Sequence, residues 1–348
     1  MSDNLKQRAI NGPQLRTRKP TGVVPWPLVL IEGGEKGGKS WCAAEFSASS
    51  LVGTTYWLDV DEGGADEYGA IPGVRYEVVE HDGSWPQIFE AVEAVYAEAT
   101  RVAATQEPPV VLVIDSMTAV WTLLKDWAYS RARKTKFNEQ KLQADPNAEI
   151  DISMNFWNDS NARHRRLMDL LKTFPGIVVM IARGKETAAL DANGRPIPKQ
   201  SDYKVEGQKD LAFEATAWVR MHRGEEPKIV GIRSVHYDTR ELKVVKPGGD
   251  QKLRDFSLEN LVFKIMKCDP NTAQPRNLQV LQSDEGKAQA NNLRDCAVTA
   301  ADREELRKLW GEAGRLGIID IAVENESGDD ELLGALIKRI GDEMPESS

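Results

Sequence analysis

From residue 28 onward the chain alternates short apolar runs with longer segments whose apolar residues recur every three to four positions. The runs at 28–31, 54–58, 75–79, 110–114 and 177–181 have strand length and are rich in Val, Ile, Leu and aromatic residues. Near-continuous apolar strands separated by helices are buried on both faces, so the pattern predicts an α/β fold around a mostly parallel central sheet. Two helices have readable ends. Ser84 and Gln87 make a capping box with Pro86 in the first turn, and Ile88, Val92, Val95 and Ala99 follow on one face. A second helix over about 161–174 presents Leu167, Leu170, Leu171 and Phe174 on one side and stops at Pro175-Gly176.

After residue 214 the rhythm changes to closely spaced β-like runs at 217–221, 228–235 and 242–245, an antiparallel extension of the sheet. A stretch rich in Pro, Asn, Gln and Asp then reads as a linker. Beyond it, Thr299 is the expected cap of a helix, with Asp302 as the box partner and a stripe of Leu306, Leu309, Trp310 and Ala313. A last helix over about 330–340 carries Leu332, Leu333, Leu336, Ile337 and Ile340. At the other end, residues 1–24 hold Gly12, Pro13 and Pro20 without an apolar period and read as an extended arm. The expected organisation is therefore a basic arm at 1–24, an α/β core at 25–268, a linker at 269–298 and a small helical C-terminal region at 299–348.

Composition removes several function classes. Of 348 residues, 41% are hydrophobic and 28% charged, enough for a large core with a smaller partner. No apolar run approaches membrane-spanning length, and the polar start Met1-Ser2-Asp3-Asn4 lacks a signal-peptide core, so a cytoplasmic protein with no membrane partner is expected. Cys42, Cys268 and Cys296 are far apart and form no C-x-x-C pair, which argues against disulfide scaffolding and zinc. The net charge of −9 is uneven: residues 299–348 hold 13 acids and 6 bases. The rest is nearly balanced and carries local basic runs, the arm itself (Lys6, Arg8, Arg16, Arg18, Lys19) and Arg131-Ala132-Arg133-Lys134-Thr135-Lys136.

The sharpest chemical signal is Gly33-Gly34-Glu35-Lys36-Gly37-Gly38-Lys39-Ser40, which spells G-x-x-x-x-G-K-[ST] between an apolar strand and a helical segment. Glycines free the backbone to wrap phosphates, Lys39 adds charge, Ser40 offers a hydroxyl to Mg²⁺, and Trp41 follows at the helix start. ATP is the expected nucleotide. About 75 residues later the strand Val110-Val111-Leu112-Val113-Ile114 ends in Asp115, where an acid is placed to hold the metal with Ser40. Between them, Asp59-Val60-Asp61-Glu62 ends another strand and offers a base for the attacking water, Glu62 first and Asp61 second. Arg183 follows the strand at 177–181, either as a γ-phosphate sensor or as a surface cation. Arg233, in Ile232-Arg233-Ser234, is a candidate for a cation reaching a neighbouring subunit's site.

The order P-loop, strand with terminal acids, VVLVIDS, then another apolar strand resembles the RecA superfamily, and WLDVDEGGADEYGAI and DLAFEATAWVRMHRG are similar to its catalytic-carboxylate strand and the strand after its second DNA-binding loop. More closely, the chain resembles RecA-like single-strand-annealing ATPases encoded by phages of actinobacterial hosts, over about residues 24–245. The resemblance implies a RecA-like core, phosphate binding by residues 33–40, Mg²⁺ on Ser40 and Asp115, and water activation by Glu62 or Asp61. It also implies DNA contact from the loops after the Asp115 and 177–181 strands, the second at about 184–208. The implied function is an ATPase of homologous recombination that anneals single-stranded DNA as a homo-oligomer, ring or filament, with a single-strand-binding protein as a possible associate. The sequence departs from bacterial RecA at Arg183, where that family usually has glutamine. A protein-remodelling or replication-loading ATPase, or an annealing module gated by nucleotide without much hydrolysis, remains the alternative. Trp121, Trp127 and Trp157 lie near the basic runs at 131–136 and 163–166; helical packing is the favoured reading of the three, base stacking the other.

Overall fold

A computed structural model of the chain describes residues 17–344, apart from 106, 192–194, 235–250, 253–255, 277, 279–283, 301 and 326–329. The run at 242–245 and most of the N-terminal arm lie outside the described residues. Two compact units are present, Met1–Leu278 and Gln279–Ser348. Among the described residues no helix is long and apolar enough to cross a membrane.

The first unit contains, in order, β1 (Leu28–Gly33), α1 (Lys39–Phe46), β2 (Thr55–Asp59), α2 (Ala65–Tyr68), β3 (Tyr76–Val78), α3 (Trp85–Ala103), β4 (Val111–Asp115), α4 (Met117–Arg133), α5 (Lys136–Ala144), α6 (Met154–Thr173), β5 (Ile177–Leu190), β6 (Pro196–Glu206), α7 (Leu211–Glu214), β7 (Ala217–Arg220), β8 (Lys228–Ile232) and β9 (Gln251–Lys252). The sheet order is β3-β2-β4-β5-β1-β7-β8-β9. Pairing is parallel from β3 to β7 and antiparallel from β7 to β9, as the change of rhythm after residue 214 predicts.

Period-two alternation divides the strand residues between two cores. Leu30, Leu58, Leu112, Ile114 and Met180 face α3, α4 and α6, meeting Ile88, Val92, Leu124 and Leu167. Val29, Ile31, Trp57, Val113 and Val179 face α1 and the wide helical turn Asn260–Ile265, meeting Phe46, Leu261 and Val262. Each large side chain taken fully out of water contributes about 1.5–3 kcal/mol, so the sheet is anchored from both sides. This is the α/β architecture with a mostly parallel central sheet and an antiparallel extension expected from the sequence.

Register carries the consequence for function. Asp59 lies opposite Asp115, Asp115 opposite Ile181, and Gly33 opposite Arg183. The carboxyl ends of four neighbouring strands thus share one edge, where open α/β sheets bind ligands.

Several sequence expectations need correction. The segment at 184–208 is largely not a loop: β5 runs on to Leu190 and pairs with β6 in an antiparallel hairpin. A two-stranded ribbon is held by its own ladder, so it needs no apolar run to announce it. Helix α6 starts at Met154, earlier than 161. The Ser84 box is half formed, because Ser84 caps the Gln87 N–H while the Gln87 amide turns to Glu90.

In the second unit α8 (Asp284–Val298) occupies the second half of the expected linker, with Ala290, Leu293 and Ala297 buried. Small residues at helical spacing build that face, and the polar composition hides them. α9 (Arg303–Leu316), the hairpin of β10 (Ala322–Glu324) and β11 (Asp330–Leu332), and α10 (Leu333–Glu343) complete the unit around Leu306, Ile318, Val323, Leu336 and Ile337. The cap of α9 is Asp302, whose carboxylate accepts the Glu305 N–H at 2.8 Å. Thr299 instead donates its hydroxyl back to Asp295.

Candidate functional site

The glycine-rich turn after β1 is shaped by its neighbour β7. Met221 donates its N–H to the Glu32 carbonyl, and its own carbonyl presses against Gly33 and Gly37 so closely that a Cβ on either would collide with it. Gly33 (φ 153°) and Gly38 (φ 87°) also occupy backbone regions that side chains avoid. Gly38 caps α1 without a side-chain hydrogen bond, leaving the first N–H groups of the helix available to an anion.

Lys39 bends over this turn. Its Nζ donates to the carbonyls of Gly34 (2.7 Å) and Gly33 (3.2 Å). Burial pushes the Lys39 pKa down, while Asp115 and Glu62 oppose the shift. One residue on, Ser40 Oγ donates to Asp115 Oδ2 at 2.7 Å, joining the two residues expected to share a metal. Asp115 is pushed up to about 6, chiefly by burial, with the Ser40 hydrogen bond opposing and Glu62 and Asp59 adding to the rise.

The acid cluster separates into three roles. Asp59 is committed to the turn: its carboxylate accepts N–H groups of Glu62, Gly63 and Ala65. Asp61 has φ 61°, is exposed and is absent from the cleft lining. The tight turn that Asp59 organises directs it outward. Glu62 turns inward, where its Oε1 accepts Ser116 Oγ (2.8 Å), Arg183 Nη2 (2.9 Å) and Arg183 Nε (3.1 Å). Of the two candidate bases, only Glu62 is brought to the site.

Gly33, Glu35, Lys36, Gly37, Gly38, Lys39 and Ser40 line a cleft of about 450 Å³ together with Glu62, Asp115 and Arg183, a volume suited to a nucleotide. Gly34 lies behind the turn, against Tyr203 and His222. Trp41 is half exposed, outside the lining, and meets Tyr68 edge-on. Arg233 is far from this cleft: its N–H donates to Thr216, whose own N–H donates to Leu28 at the opposite end of β1 from Gly33. It is exposed there, so it has no part in its own chain's site.

Sequence reading missed four contributors. Tyr68 and Ser116 line the cleft. Thr118 accepts the Arg183 N–H and donates to the Glu206 carbonyl, fixing the base of the β5–β6 hairpin. Glu32, fully buried beside the phosphate turn, pairs with Arg220. Burial raises the Glu32 pKa and Arg220 opposes the rise. An acid ending an apolar strand was as legible at Glu32 as at Asp115.

Among the described residues no group of three His, Cys, Asp or Glu side chains could hold a metal. Ser40 and Asp115 supply two oxygen donors, which fits Mg²⁺ held mainly by phosphates and water.

No curated protein matches the sequence. A solved structure, from a structural and biochemical analysis of an ATPase of the type III secretion system of pathogenic bacteria, is similar at 12% identity with a TM-score of 0.34, covering 90% of this chain and 78% of that one. A likeness that weak carries no argument. The family model for an AAA domain matches residues 27–229, more than half the chain, and spans β1, Lys39, Glu62, Asp115 and Arg183. With the phosphate turn and the buried acid on its serine inside the matched span, this chain belongs to the AAA_24 family of P-loop ATPase domains.

Proposed function

We propose that this chain is an ATP-dependent single-stranded-DNA-binding protein of homologous recombination, which hydrolyses ATP as it anneals strands and works as a homo-oligomer. The observation that carries the reading is the continuity between cleft and hairpin. Arg183, the residue at which β5 leaves the sheet, holds Glu62, and two residues farther along Lys185 stands directly opposite Lys204. Like charges side by side on a ribbon repel. A phosphate backbone lying across them relieves the repulsion and acts on the strand that positions Arg183.

The chemistry assigned to each residue follows from its contacts. Glu62 is the base that takes the proton of the attacking water, and its position is set by Ser116. Two Arg183 hydrogen bonds occupy Glu62 Oε1, so Arg183 must turn from Glu62 toward the γ-phosphate before that oxygen can receive the proton of the water. Lys39 moves from the Gly33 and Gly34 carbonyls to the phosphates. Mg²⁺, held by Ser40 and Asp115, would supply positive charge to the phosphate oxygens. Support for self-association comes from Phe213, whose ring is 89% exposed on the single turn α7.

The test measures ATP hydrolysis and particle size together, with and without single-stranded DNA. Hydrolysis should rise with DNA and vanish in Lys39→Ala, and Phe213→Ala should yield smaller particles. A DNA-independent rate equal to the stimulated one would overturn the coupling.

A further inference from the structure

A second charged surface lies outside the cleft and the hairpin. Helices α4 and α6 pack through buried Leu124 and Leu167, and Ser160 Oγ donates to the Leu124 carbonyl at 2.9 Å. Trp121 belongs to that packing, edge-on to buried His164 at 5.7 Å. Trp127 does not. It is half-buried, with the guanidinium of Arg163 4.3 Å from its ring centre and that of Arg131 at 5.7 Å.

The arrangement repeats around it. Arg133 lies over Tyr129 at 5.9 Å and Lys141 over Phe137 at 5.8 Å, and both rings are exposed, Phe137 by 66%. Among the described residues, no carboxylate comes within ion-pair distance of Arg131, Arg133, Arg163 or Arg165. Burial, Arg131 and Arg166 all work against the charge on Arg163, and Asp159 alone opposes them. Lys141 is paired with Asp151, but arginines crowded onto half-exposed rings with no carboxylate at ion-pair distance call for a ligand that is both polyanionic and planar. Single-stranded nucleic acid is such a ligand: phosphates answer the guanidiniums, and unpaired bases stack on indole, phenol or guanidinium planes. Duplex DNA offers only the phosphates.

We infer that the α4–α6 face around Trp127, Arg131 and Arg163 is a docking site for single-stranded DNA, separate from the β5–β6 hairpin. The inference rests on the proposed function and names where the strand lies. An acidic protein would satisfy the charges and leave the rings unused.

The experiment is fluorescence anisotropy of labelled oligo-dT, with a matched duplex as control, on the full chain. Trp127→Ala should weaken oligo-dT binding about tenfold, whereas Trp127→Phe, which keeps a ring, should restore most of it. The double variant Arg131→Ala/Arg163→Ala should lower the slope of log affinity against log salt by about 1.4. Basal hydrolysis should be unchanged in all three. If the wild type binds oligo-dT and these variants bind it equally well, the site falls and the hairpin remains as the DNA contact. Equal affinity for duplex also overturns it, because stacking would then contribute nothing. If the wild type binds no oligo-dT, both the site and the proposed function fall.

Discussion

The nucleotide edge and the α4–α6 face both concentrate charge and treat it in opposite ways. At the edge the charged groups behind the phosphate turn and at the strand ends have partners: Glu32 with Arg220, Glu62 with Arg183 and Ser116, Asp115 with Ser40, Lys39 with two carbonyls. On the helical face Arg131, Arg133 and Arg163 rest on aromatic rings with no carboxylate at ion-pair distance among the described residues. The difference matches the ligands each surface suits. A triphosphate must be held within a fraction of an ångström for chemistry, so its contacts are pre-set by mutual hydrogen bonds. A flexible strand can bind in many registers, and stacked cations tolerate that variety while keeping their charge available.

The largest expected effect breaks one side of this comparison only. Glu62→Gln preserves the shape that receives Ser116 and removes the base, so hydrolysis should fall by about 10²–10⁴-fold. Nucleotide affinity and oligo-dT binding should persist, which separates chemistry from docking. Steady-state hydrolysis and nucleotide titration of the same preparation check it; a rate within about threefold of wild type would remove Glu62 from the base role.

The two regions were unequally legible. The P-loop, Asp115 and Glu62 stood out because phosphate and metal chemistry restricts residue types and places them at strand ends. The division of labour within Asp59-Val60-Asp61-Glu62 did not, because it depends on which carboxylate the turn consumes for its own N–H groups. Period also fails where structure is made by backbone pairing, as in β6, or by small residues, as in α8. At the tryptophans, local period puts Trp127 on the packing face with Val120 and Leu124, but it is Trp121 that packs in the core and Trp127 that lies outside it. Period could not see that Arg163, 36 residues away, would come to lie on Trp127, since that stack exists only once α4 and α6 pair.

A smaller effect tests the packing beneath the cationic face. His164 is buried on α6, its Nε2 lacks a hydrogen-bond partner, and burial pushes its pKa down from 6.5 to about 4, with Asp210 opposing weakly. The unfolded chain takes up a proton at this histidine before the folded one does. Stability should therefore fall as pH drops through the window from about 6.5 to 4, and this residue has no effect above it. Between pH 7 and pH 5 the wild type should lose about 2 kcal/mol more than His164→Leu. Urea unfolding at both pH values measures the difference; parallel losses would mean the imidazole is not held neutral.

The smallest effect asks whether the face needs its frame or only its charges. Asn138 is buried on α5, and its amide donates to the carbonyls of Ala132 and Asp151 at 2.9 Å each, tying the last turn of α4 to the segment that leads into α6. Asn138→Ala leaves both carbonyls without that donor and should cost about 1–2 kcal/mol of local stability. Amide exchange at 145–153 should quicken, and oligo-dT affinity should drop severalfold, less than for Trp127→Ala, while basal hydrolysis is unchanged. Faster exchange with full affinity would mean that Trp127 and its arginines act without the frame. A loss of hydrolysis would show that the face and the nucleotide edge are mechanically one region, because Asn138 touches nothing in the cleft.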